Sequence, residues 1–189
     1  MNQLLNWLGS SDLTSDGNAT QVADLVIENL TLLDDLMEGL QNKNDVVRGR
    51  AADAVEKVAR HNPHDVAQYL PLILQLAEHD SIPMVRWHLA MVLGHISMIA
   101  DIVEEITTTL LRMLTDKSIF TQSWAIVSLC IIAKQYPANT GRIAPAISKL
   151  GVSPSKAIRA KVRYTMPLLT NPETPMPKGW VKSICLQHL

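Results

Sequence analysis

One spacing constrains this chain more than any other feature. The segment Asp45-Val46-Val47-Arg48-Gly49-Arg50-Ala51 returns as Met84-Val85-Arg86-Trp87-His88-Leu89-Ala90. It returns again as Thr121-Gln122-Ser123-Trp124-Ala125 and as Ile158-Arg159-Ala160-Lys161-Val162-Arg163. Aligned on Arg48, Arg86, Gln122 and Arg159, the offsets are 38, 36 and 37 residues. The prolines keep the same period, since Pro63 to Pro137 and Pro71 to Pro145 are both 74 residues. A repeat of this length marks a chain of stacked supersecondary units that bury a shared core.

Within each unit, apolar residues recur at three- and four-residue steps, the period of a helix. Strand signals are nearly missing: aromatics are 4% of the chain, and Asp16-Gly17 joins no two alternating runs. The pattern predicts first helices near 31–41, 65–78, 101–114 and 139–151. Second helices are expected near 45–60, 83–98, 118–135 and 155–168. The first helices carry apolar stripes such as Ile102, Ile106, Leu110 and Met113, and the second carry small residues such as Ala51, Ala54, Ala90 and Ala125. Pro71 and Pro145 fall inside first helices, where a proline is expected to kink them. Residues 1–20 read as a short helix and a polar linker, 21–169 as the repeat body, with a helix over Val22 to Leu30 closing its N-terminal end. Residues 170–189 hold Pro172, Pro175 and Pro177 and read as a strap. A short capping helix with Trp180, Ile184 and Leu186 is expected to follow.

These residues resemble the HEAT-repeat family, whose unit is a helix pair with Asp before the turn and Val-Arg opening the second helix. Asp80 precedes Arg86 by six residues, and Asp116 precedes Gln122 by six; Asn42 and Ser153 hold the equivalent outer positions. The resemblance covers roughly residues 30–169. It implies an all-α fold, a right-handed α-α superhelix of about four helix pairs with capping helices. It also implies an Asp–Arg ladder between repeats, weakest at Gln122, and a concave face lined by the second helices.

Composition narrows the function classes. The chain has 189 residues, 47% of them hydrophobic, and a formal net charge of −1. No uncharged apolar run approaches the ~20 residues of a membrane span. The start lacks a basic n-region, so a soluble cytoplasmic protein is expected. Two cysteines, Cys130 and Cys185, make no disulfide framework. The charge is uneven: residues 1–116 carry 17 acidic and 7 basic side chains, residues 117–189 carry 1 and 10. Such a split speaks to partners, not fold. It permits head-to-tail self-association, or solvated faces of opposite sign.

No motif for catalysis, phosphate binding or metal ligation is found, and no cofactor is expected. His61 with His64, and His88 with His95, lack the further convergent ligands that zinc needs. Adjacent acids such as Asp34-Asp35 and Glu104-Glu105 point apart on a helix. Two residues beyond the ladder position lie Arg50, His88, Trp124 and Lys161; five beyond lie Asp53, Met91, Val127 and Tyr164. A ridge of Trp87, His88, Met91, Trp124 and Tyr164, rimmed by Arg50 and Lys161, has the composition of a protein-binding hot spot. Trp87 and Trp124 can instead pack between repeats. The alternative partner is nucleic acid, bound by a basic patch of Arg142, Lys149, Lys156, Arg159 and Arg163. Similarity to HEAT-like DNA glycosylases is a further alternative. There the residue four after the tryptophan is a catalytic Asp; here it is Ser128, which cannot supply a carboxylate. The sequence is therefore read as a non-enzymatic scaffold.

Overall fold

A computed structural model describes residues 3–9, 17–171 and 173–189. Among them are eleven α-helices and no strand. They are α1 (Gln3–Leu8), α2 (Ala19–Glu28), α3 (Leu33–Gly39), α4 (Asp45–His61), α5 (Pro63–Ala67), α6 (Leu70–His79), α7 (Pro83–Ile96), α8 (Val103–Met113), α9 (Ile119–Gln135), α10 (Thr140–Ser148) and α11 (Lys156–Thr170). Four second helices, α4, α7, α9 and α11, lie side by side as an inner row. The outer row is α3, α5 with α6, α8 and α10. Helices α1 and α2 close the N-terminal end against α3 and α4. The expected linker at 9–20 falls largely outside the described residues.

The repeat boundary is set by one short polar side chain. Asn42 Oδ1 accepts from Asn44 N at 2.9 Å, Asp80 Oδ1 from Ile82 N at 2.7 Å, and Asp116 Oδ1 from Ser118 N at 2.6 Å. Ser153 Oγ accepts from Ser155 N at 3.3 Å. These turns stop each outer helix and aim the chain into the next inner helix. Asn44, Ser118 and Ser155 then cap α4, α9 and α11, while Pro83 opens α7 with its fixed φ.

The ladder is built on the same residues. Arg86 Nε donates to Asp116 Oδ2 at 2.7 Å, and its Nη2 to Asp116 Oδ1 at 3.1 Å. Arg48 Nε donates to Asp80 Oδ2 at 2.8 Å, and its Nη1 to Asn42 O at 2.8 Å. Gln122 keeps only the link within its own repeat, to Asp116 O at 2.7 Å. Arg159 likewise donates to Ser153 O at 2.6 Å. Neighbouring inner helices approach closely because their facing residues are small. Ala51, Ala54, Ala90 and Ala125 are fully buried. A Cβ on Gly94 would stand 2.5 Å from Ser128 Oγ.

Two expectations need correction. Pro71 does not kink a helix: the chain breaks between α5 and α6, and Pro71 lies in the first turn of α6. An N-terminal turn has no hydrogen bond for a proline to remove. Pro145 does lie inside α10. The C-terminal segment also forms no capping α-helix. Its regular structure is a single 3-10 turn at Ile184–Leu186, and it folds back over the inner row. Leu186, 1% exposed, buries its side chain on Val127 and Ile131.

Candidate partner-binding face

The inner row presents two strips, one at each end of its helices. Toward the C-terminal ends lies a buried polar cluster. Glu56 on α4 accepts from His95 Nε2 of α7 at 2.9 Å and from Arg60 Nε at 3.0 Å. Burial pushes the Glu56 carboxyl up, but the His95 and Arg60 hydrogen bonds and charges outweigh it and hold it at about 2. Beside it, Asp53 pairs with Lys57 and stands 3.4 Å from His88 Nε2. His88 Nδ1 donates to Met84 O at 2.9 Å, and burial holds this imidazole below its usual range.

The C-terminal segment lies over this strip. Lys134 of α9 donates to Thr174 O, and Met176 Sδ lies 3.8 Å from Cys130 Sγ. Burial pushes the Cys130 thiol up to about 12. The Trp180 ring sits against Lys161 of α11, with Nζ 4.3 Å from the ring centroid. Lys182 Nζ stands 5.0 Å from the Trp124 ring centroid. Ser183, fully buried, donates to Arg60 O on α4 at 3.4 Å.

The second strip, on the N-terminal halves of α7 and α9, is open. Phe120 on α9 is 62% exposed, and its ring centroid lies 5.0 Å from that of Trp87 on α7. The His88 ring lies tilted to Trp87 at 5.4 Å between centroids, and Ile119 beside Phe120 is exposed. Past the middle of α11, Tyr164 is also 61% exposed, with Arg163 against its ring at 5.8 Å.

The expected ridge is therefore divided. Trp87, His88 and Tyr164 keep accessible surface. Trp124 and Lys161 already hold Lys182 and Trp180. Arg50 and Met91 are buried and leave the ridge. Arg50 packs against Gly17 and donates to Leu8 O at 2.9 Å, fastening α1 to the first repeat. Met91 is 4% exposed and offers a partner almost no surface.

The basic patch is not one surface. Arg142 on α10 pairs with Glu104 and donates to Thr108 Oγ1 at 2.7 Å, on the outer row. Arg159 is spent on Ser153 O and Pro154 O. Lys149, Lys156 and Arg163 are exposed, Lys156 and Arg163 seven residues apart on one face of α11. Ser128 is buried and donates to Ala90 O at 2.7 Å, a packing role. His61 and His64 are exposed, and no group of three or more His, Cys, Asp or Glu side chains converges at metal spacing among the described residues. No helix among them is long and apolar enough to cross a membrane. Sequence reasoning missed Phe120 and Glu56. The four-residue step from Phe120 to Trp124 was a usable signal. A buried Glu56 left none, because an acid in an amphipathic helix ordinarily marks its wet face.

Paired helices stacked in two rows define a helical-repeat scaffold. A sequence profile of HEAT repeats matches residues 33–130, just over half of the chain, and the chain belongs to that family. Solved structures share the fold. The complex of CpcE and CpcF of phycocyanin lyase from Nostoc matches with a TM-score of 0.70 and 20% identity, over 86% of this chain and 95% of that one. A designed armadillo repeat protein in complex with the peptide (KR)4 matches with a TM-score of 0.65 and 16% identity, over 89% and 80%. Computationally designed armadillo repeat proteins for modular peptide recognition match with a TM-score of 0.64 and 16% identity, over 89% and 81%. A search of curated protein sequences finds no significant match.

Proposed function

We propose that the chain is a non-enzymatic scaffold that captures a protein partner on the inner row of helices. The observation that carries this reading is the open aromatic strip, Phe120 tilted against Trp87 with exposed Ile119 beside it. Large aromatic side chains at a well-ordered surface supply contact area at low entropic cost, which is the chemistry of a binding hot spot. A row of helices fixed by its own core keeps such a strip rigid, so little ordering remains to be done on binding. Support from the fold is general: repeat proteins of this architecture include one complexed with a second subunit and one holding a peptide. The nucleic-acid reading has less support, because two of its five basic side chains are engaged within the protein. Head-to-tail self-association through the acidic and basic ends stays a secondary proposal. Light scattering at low and high salt tests it.

The test is partner capture with the purified full chain as bait and crosslinking mass spectrometry as readout. Phe120→Ala with Trp87→Ala should abolish recovery of crosslinked partner while the helical circular dichroism stays unchanged. Capture that survives both changes removes the strip from the binding surface and overturns this assignment.

A further inference from the structure

The C-terminal strip of the inner face looks different from a core seam. Val127, Ile131 and Leu186 form an apolar cluster apart from the main core. The inner helices already meet one another through their small residues without it. The segment that covers the strip has almost no regular structure of its own. Its side chains hold it through Trp180 against Lys161, Lys182 against Trp124, Leu186 on Val127 and Ile131, Met176 beside Cys130, and Ser183 on Arg60 O. Burial holds the Lys182 ammonium below its usual range; Glu56 and Asp53 oppose that shift, and Arg60 and Lys57 add to it. The contacts are those of an extended peptide in a groove: an aromatic on a cation, a cation on an aromatic near two acids, and an apolar residue in an apolar pocket. Between these points Ile184 and Cys185 remain exposed.

We propose that this strip is a second binding site, for an extended partner segment with an aromatic residue two positions before a lysine and an apolar residue four positions after it. Residues 176–186 are its resident, displaceable occupant. The proposal rests on the scaffold reading and adds to it a partner chemistry and a gate. A tethered occupant acts at a high effective concentration, so a free partner segment competes poorly until the tail is released. Trp180 sits against Lys161 and Lys182 against Trp124, the cation–aromatic pairings that a partner segment of this pattern would repeat. Neither contact is needed to stack one repeat on the next.

The experiment uses the full chain and a dye-labelled synthetic peptide of residues 174–189. Binding is followed by fluorescence anisotropy to wild type and to a tail-release variant, K182E with L186D. The variant should bind the peptide at least about tenfold more tightly than wild type does. A peptide carrying Trp180→Ala and Lys182→Glu should not bind it. Urea unfolding followed by circular dichroism accompanies each measurement. Three outcomes overturn the proposal. The first is a folded variant that binds no peptide up to about 1 mM. The second is equal binding to wild type and variant. The third is loss of cooperative helical unfolding in the variant, which makes the tail a structural part of the solenoid. Each is distinct from failure of partner capture at Phe120 and Trp87, which needs no release of the tail.

Discussion

Glu56 shows how much a single side chain can hold in this protein. Its folded pKa lies below its ordinary value of 4.5, at about 2. The pairing with His95 and Arg60 therefore stabilises the fold at pH above about 4.5 and is lost as pH falls toward 2. The shift corresponds to on the order of 3 kcal/mol. E56Q is expected to cost about 2–4 kcal/mol at pH 7, because it leaves the Arg60 charge without its carboxylate. The same variant should lose less stability than wild type between pH 5 and 3. Urea unfolding at pH 7, 5 and 3 checks both signs, and equal acid sensitivity in the two proteins refutes the assignment. Residues of this kind were not legible in the sequence. Asp53 and Glu56 are buried because the tail and α7 cover them, and Arg50 is buried because α1 folds over it. Burial of a charged residue depends on what arrives from far along the chain.

At the scale of the element, legibility was far better. Each inner helix was read within one or two residues of its observed bounds, because apolar period and preceding turn agree with a capping residue at α4, α9 and α11 and with Pro83 at α7. The outer helices were read less closely. Each is flanked or broken by 3-10 turns, or split at Pro71, which a periodic pattern does not resolve. The ladder is interrupted where the sequence predicts it. Gln122 brings no charge, and Ser153 brings no carboxylate and spends its hydroxyl on Ser155 N. Q122R with S153D should restore the missing link, since Asp at that position keeps the turn and accepts an arginine. The expected gain is about 1 kcal/mol in urea unfolding. Q122R alone should gain little, and a gain from it equal to the double variant's argues against the ladder as cause.

For the whole molecule, a linear stack couples each repeat only to its neighbours. The tail breaks that rule by joining α11, α9 and α4 in one contact run. Hydrogen exchange should therefore show α11 protected beyond what the weak third interface supplies. In K182E with L186D, the α11 amides should exchange at least about tenfold faster while those of α7 change little. Uniform loss of protection, or none, refutes this long-range coupling.

The sequence by itself determined the repeat, the helix pairs, the turns and the family, because all of these depend on residues within one period of each other. It also held the charge split, a matter of counting. Tertiary structure alone decided which face is free. The path of residues 173–189 sets that, and a segment without periodicity carries no local signal of where it docks. Its few contacts are chosen by surface that exists only once the inner helices α4, α9 and α11 stand side by side.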